Sequence, residues 1–215
     1  MNPATALTRI YSHNEHLTDM IVHVIGVLFA INASLWLLWH VTGLSVVISV
    51  SVYCAGLFVM IAASAAYNLM PHERPSKKML RQLDHSAIFI MIAATYTPFA
   101  ANRLGDPVGD IILAAIWICA TIGIAMKLLF PGRFELVSVG FYLAMGWTVL
   151  GVIRPLAMSL AAVNFWLLMT GGLIYSAGVA FYLIERIPHH KTIWHAFVLI
   201  AAMLHFAAIA REFAA

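Results

Sequence analysis

Seven stretches of this chain, at about 20–40, 44–70, 86–102, 110–130, 136–153, 161–184 and 192–212, run almost without charge, and that pattern leaves few ways to fold. A hydrocarbon layer about 30 Å thick takes about 20 apolar residues per helical crossing, and no backbone polar group inside it can turn to water for a partner. Repeated runs of that length predict a bundle of membrane-spanning helices. Composition agrees: 63% of the residues are hydrophobic, 10% are charged and the mean hydropathy is +0.92, whereas about a quarter of a soluble domain is charged. The expected fold is all-α, a polytopic seven-transmembrane helix bundle. Residues 1–215 form a single domain in this reading, since no repeat, low-complexity tract or long linker divides them. The third run is the shortest, and its start is expected inside QLDHS.

Charge sets the orientation, because Lys and Arg collect in cytoplasmic loops. With the N-terminus inside, the inner segments hold Arg9, Arg74, Lys77, Lys78, Arg81, Lys127, Arg133, Arg186 and Lys191, and the outer segments hold only Arg103, Arg154 and Arg211. The N-terminus is therefore expected in the cytoplasm and the C-terminus outside. No cleavable signal peptide is expected, because the polar segment NPATALTRIYSHNEHLTD precedes the first apolar run. Cys54 and Cys119 both fall within apolar runs and are read as small hydrophobes, not as a disulfide. The pI near 9.0 is accounted for by the loop charges, and no nucleic-acid motif accompanies it.

Placed in depth, the polar residues gather near one face. Ser64 and Asn68 lie one turn apart at the cytoplasmic end of the second run, Asp84 and His85 open the third, and Lys191 and His195 open the seventh. His23 begins the first run on the same side, while His205 lies about 15 Å beyond His195 at 1.5 Å per residue. Each has a purely structural use when taken singly: a serine bonding back to its own helix, an asparagine joining helices, a histidine packed in the core, a lysine reaching the interface. Asp84 is harder to treat this way, because SAIFIMIAATYTP follows it and a carboxylate at that depth needs a partner. The expected partner is Lys191, with Asn68 bonded to both; the alternative has Lys191 reaching into the cytosol and His195 alone beside Asp84.

The blocks SAAYN, LDHSAIFIMIAATYTPF, YLAMGW, GGLIYSAGVAFY and RIPHHKTIWHAFVLIAAMLHF follow one another along nearly the whole chain, and together they resemble the hemolysin III family, the bacterial branch of the progestin and adipoQ receptor superfamily. The opening YSHNEHLTDMIVHVIG is similar too, with Glu15 and His23 matching and Asp19 where Asn is usual. The resemblance implies seven helices with the N-terminus inside, membrane lipids as partners and a place in the bacterial inner (cytoplasmic) membrane. It also implies a zinc site near the cytoplasmic face. That site takes the His of Ser-x-x-x-His on the second helix and two His four residues apart on the seventh, beside the Asp that opens the third. In related receptors and ceramidases the zinc is associated with hydrolysis of a lipid amide.

This chain departs from the ligand pattern. Asn68 stands where Ser-x-x-x-His ends, Lys191 stands four residues before His195, and only His195 is retained; Ser64, Asp84 and His205 match their family positions. A carboxamide is a poor zinc ligand beside imidazole, and a protonated lysine has no lone pair to offer. No metal or other cofactor is therefore expected, with zinc held through His72, His189 or His190 as the alternative. Two functions follow. The first is a non-catalytic protein of membrane lipid and fluidity homeostasis with a degenerate zinc site. The second is a metal-dependent hydrolase of a lipid amide or ester. Pore formation, which the family's name suggests, is disfavoured because no helix carries a continuous polar stripe.

Overall fold

The computed structural model describes residues 12–71 and 73–214, so Arg9 and His72 lie outside the described residues. Helices α1 (His13–His40), α2 (Leu44–Leu69), α3 (Lys77–Asn102) and α4 (Val108–Leu129) are followed by a rod in two pieces, α5 (Glu135–Gly146) and α6 (Ile153–Ser159), joined by a 3₁₀ segment Trp147–Val152; α7 (Ala162–Leu183) and α8 (His190–Phe213) complete the chain. Among the described residues there is no strand beyond one isolated bridge, Val41 to Ala214.

Six of these seven rods are long and apolar enough to cross a membrane, with the piece Glu135–Ser159 counted as one. The remaining rod, α3, has 26 residues, but its first turns carry Lys77, Lys78, Arg81 and Asp84, and its apolar part begins only at Ser86. The outward surface is apolar: Leu35, Ile48, Ile111, Ile122, Trp166 and Leu173 are exposed, and Trp39 is 86% exposed. Helices apolar on the outside as well as the inside belong in lipid or in a larger core.

Three boundaries differ from the expected ones, each for a local reason. α1 begins at His13, inside the polar lead, because Ser12 and Glu15 form a capping box: the Ser12 hydroxyl accepts from the Glu15 N–H at 3.2 Å, and the Glu15 carboxylate accepts from the Ser12 N–H at 2.9 Å. α3 begins at Lys77, before QLDHS, and its charged opening turns are tied to neighbours: Lys77 donates to the Met70 carbonyl just after α2 at 2.7 Å, and Arg81 to Glu135 of α5 at 3.0 Å. The fifth rod runs on to Ser159, past the break that Gly146, Gly151 and Pro155 introduce.

Close contacts between small residues set the helix spacing. A Cβ at Gly56 would stand 2.5 Å from the Cβ of Ala94, so α2 and α3 meet almost backbone to backbone. Sequential helices α1 to α4 pack in order, and α8 packs on both α7 and α1 to close the ring. The break in the fifth rod frees backbone groups that lipid cannot satisfy. Tyr96 of α3 answers both signs: its hydroxyl donates to the Gly146 carbonyl at 2.7 Å and accepts from the Val149 N–H at 2.8 Å. At the end of the bundle where α8 finishes, Glu212 pairs with Arg103 and accepts from Asn164 at 2.7 Å.

Candidate functional site

At the opposite end, where α1, α3, α5 and α8 begin and α2 and α7 finish, the helices enclose a cavity of about 490 Å³. One part of its wall is polar, with His23, Ser64, Asn68, Asp84, His85, Glu135, Lys191 and His195. Arg81, Glu185 and His190 belong to the polar lining too, and Gly26, Met60, Ile61, Ile88, Val139, Val179, Val198 and Leu199 supply apolar wall. The five residues read from sequence as one site, Ser64, Asn68, Asp84, Lys191 and His195, thus line a common space, and His23 and His85 line it with them.

Their bonding differs from the expected scheme in two respects. Lys191 does not form the pair with Asp84: no ion pair between them occurs among the described residues, and Lys191 lies instead near Asp19 and Lys77. Asn68 does not bridge them either, because its amide turns back along α2 to the Ser64 carbonyl at 3.0 Å and the Ser64 hydroxyl at 3.4 Å. An acceptor one turn away on the same helix is reached without ordering a long side chain, which is why the local bond wins.

A short contact to the cavity-lining His195 comes from a residue that sequence reasoning left aside, on the wall of a smaller adjoining pocket. Asp19 Oδ1 lies 2.6 Å from His195 Nδ1, and its Oδ2 lies 3.7 Å from His23 Nδ1. The Asp19 carbonyl accepts from His23 Nδ1–H at 2.8 Å, so the lone pair of that imidazole is on Nε2, which faces the Ser64 hydroxyl at 3.3 Å. The rings of His23 and His195 meet edge to face with centroids 4.5 Å apart. Ser64 also faces Asp84, whose charged neighbours are His195, Arg81 and Asp19. One ligand atom from each of Asp19, His23 and His195 lies within 4.8 Å of the other two, and this is the one such grouping of three among the described residues. The signal was present in the sequence: Asp19 and His23 stand four apart and so share a helix face.

The remaining predicted residues support the site from around it. Glu15 is buried, and its Oε1 accepts from the N–H of His189, which sits with φ 58° just before α8. His189 itself contacts Thr18 at 3.1 Å, and His190 turns its Nδ1 toward the Phe181 carbonyl at 3.3 Å. His85 faces Glu135 at 3.6 Å, while its carbonyl accepts from the Tyr142 hydroxyl at 2.8 Å. Glu135 also holds Arg81 at 3.0 Å and the buried Lys127 at 2.8 Å. His205 is away from the cavity: it donates toward the Leu168 carbonyl of α7 at 3.1 Å, in a space where only glycine fits at position 171.

Comparison with known proteins decides the family. The profile of the family described as Haemolysin-III related matches residues 10–206. The chain belongs to that family. Among its haemolysin-III relatives, Hemolysin-3 of Bacillus cereus is 37% identical over 195 residues, covering 89% of each chain. The Hemolysin-3 homolog of Bacillus subtilis is 35% identical over 193 residues, covering 88% of this chain and 90% of that one. The Monocyte to macrophage differentiation factor of Homo sapiens is more distant, 29% identical over 163 residues, covering 74% of this chain and 67% of that protein.

Proposed function

We propose that this haemolysin-III related chain crosses the bacterial inner membrane seven times with its N-terminus in the cytoplasm, and that it serves membrane lipid and fluidity homeostasis by holding an amphiphile in its cavity. The observation that carries this reading is the mixed lining of the cavity, with charged and polar groups on residues such as Ser64, Asp84 and His195 and apolar wall from Gly26, Met60, Ile61, Val198 and Leu199, as a lipid head group and the start of its chain require. The distribution of Lys and Arg supports the orientation. The family's three-imidazole zinc centre does not fit at its own place: Asn68 spends its amide on Ser64, and Lys191 brings a cation. The reading is tested by deleting the gene and measuring membrane order during growth in the cold or on saturated fatty acids, with complementation by the parent and by Val139→Trp, which fills the cavity. Altered order that the parent restores and Val139→Trp does not is the expected result. Unchanged order in the deletion strain would overturn the proposal.

The second reading, a hydrolase of a membrane lipid amide or ester, is favoured by the grouping of Asp19, His23 and His195 beside Ser64 and Asp84. Its test is release of fatty acid from amide and ester lipids in proteoliposomes, with His195→Ala as the control; no release above the control would dismiss it.

A further inference from the structure

We propose that Asp19, His23 and His195 form a binding site for a divalent transition metal of the zinc class, built between α1 and α8. Two imidazoles and one carboxylate are a donor set suited to zinc and its neighbours in the first transition row, whereas magnesium and calcium take oxygen ligands. The donors come from rigid positions. Asp19 and His23 are four residues apart on one face of α1, and His195 comes from the second turn of α8, which packs against α1.

Two further features are those of a ligand shell. The buried His23 ring gives its Nδ1–H to a backbone carbonyl, which orients the imidazole and leaves Nε2 as the donor atom. The Glu15 carboxylate ties the chain just before α8 to the start of α1, so the depth of His195 relative to Asp19 is set from outside the site. The two carboxylates at this corner, Asp19 and Asp84, have Lys191 and Arg81 respectively as basic neighbours, so a metal is favoured by the donor set and its placement and not by an excess of negative charge. One ligand atom from each of the three residues lies within 4.8 Å of the other two, whereas ligands of one zinc ion stand roughly 3.3 Å apart, so binding requires the side chains to rotate inward. The site differs from the three-imidazole set implied by the resemblance in two of its three ligands, sharing only His195.

The test uses the full-length protein purified in detergent, loaded with Zn²⁺ or Co²⁺ and desalted. Elemental analysis is expected to give about one zinc per chain, and the Co²⁺ form is expected to show visible d–d absorption. Asp19→Asn and His23→Gln should each lower retained zinc at least tenfold and remove the Co²⁺ band, while Asn68→Ala should leave both as in the parent. Comparable thermal melting of the metal-free variants confirms that they fold, and the Co²⁺ spectrum of the unmodified protein stands without any substitution. Less than a tenth of an equivalent of zinc in the parent, or full retention in the Asp19→Asn, His23→Gln double variant, would overturn the proposal. Neither readout depends on the lipid reading, so either can fail alone.

Discussion

Glu15→Ala is the substitution that best tests how the site is held. The Glu15 carboxylate is 8% exposed and accepts two backbone N–H groups, that of Ser12 at 2.9 Å and that of His189 at 2.9 Å. The first bond is half of the capping box that starts α1, and losing a cap costs about 0.5–2 kcal/mol. The second satisfies a partly buried N–H at the start of α8, and leaving such a donor without a partner costs about 1–3 kcal/mol. Together the loss is about 1.5–5 kcal/mol, which for a chain of this size corresponds to a fall in melting temperature of roughly 3–20 °C. Because His189 precedes α8, the same change should loosen His195 from Asp19. The assay is thermal melting in detergent, read alongside the imidazole resonances of His195 by NMR. A melting shift under about 2 °C with an unchanged His195 environment would show that the box and the His189 contact do not position α8, and the reasoning would fail.

Other substitutions probe separate links. Tyr96→Phe keeps the ring but removes the hydroxyl that serves Gly146 and Val149, so a loss of about 2–6 kcal/mol is expected by denaturant titration, at about 1–3 kcal/mol per orphaned backbone group. Gly56→Val should force α2 from Ala94 of α3 and cost about 1–3 kcal/mol or more, read as a lower melting temperature; an unchanged melt would mean that the two helices separate freely. A double-mutant cycle of Asp19→Asn with His195→Ala should show a coupling of about 1.5–3 kcal/mol, the range for a hydrogen bond to a charged group. The same cycle with Lys191→Met and Asp84→Asn should be additive to about 0.5 kcal/mol, since no ion pair joins them among the described residues.

What the sequence disclosed was mostly what is written along one helix. The apolar runs are local and mark α2, α4, α7 and α8 to within a few residues. The start of α1 was legible in principle, because Ser12 and Glu15 have the spacing of a capping box, yet hydropathy alone placed it at residue 20. The start of α3 was hidden because its opening turns are charged, and apolarity is the signal by which a crossing is recognised. The level at which Ser64, Asp84 and His195 meet followed from topology and depth. Their bonds did not. Which carboxylate takes His195 depends on how α1 leans on α8, a contact between residues 176 positions apart, so the Asp19 bond was not legible, and the pair favoured from sequence was Asp84 with Lys191.

The contacts between α3 and α5 form a frame. His85 faces Glu135 at one level and Tyr96 holds Gly146 at another, and on both helices the two levels are eleven residues apart, about 16 Å. Two parallel members of equal length with a rung at each end make a parallelogram, which by itself can still shear. Tyr142, reaching from α5 to the His85 carbonyl, is the diagonal that turns it into triangles. A slip of α5 by a single residue along α3 would have to disturb all three ties at once, so the α3 and α5 side of the cavity is a braced panel.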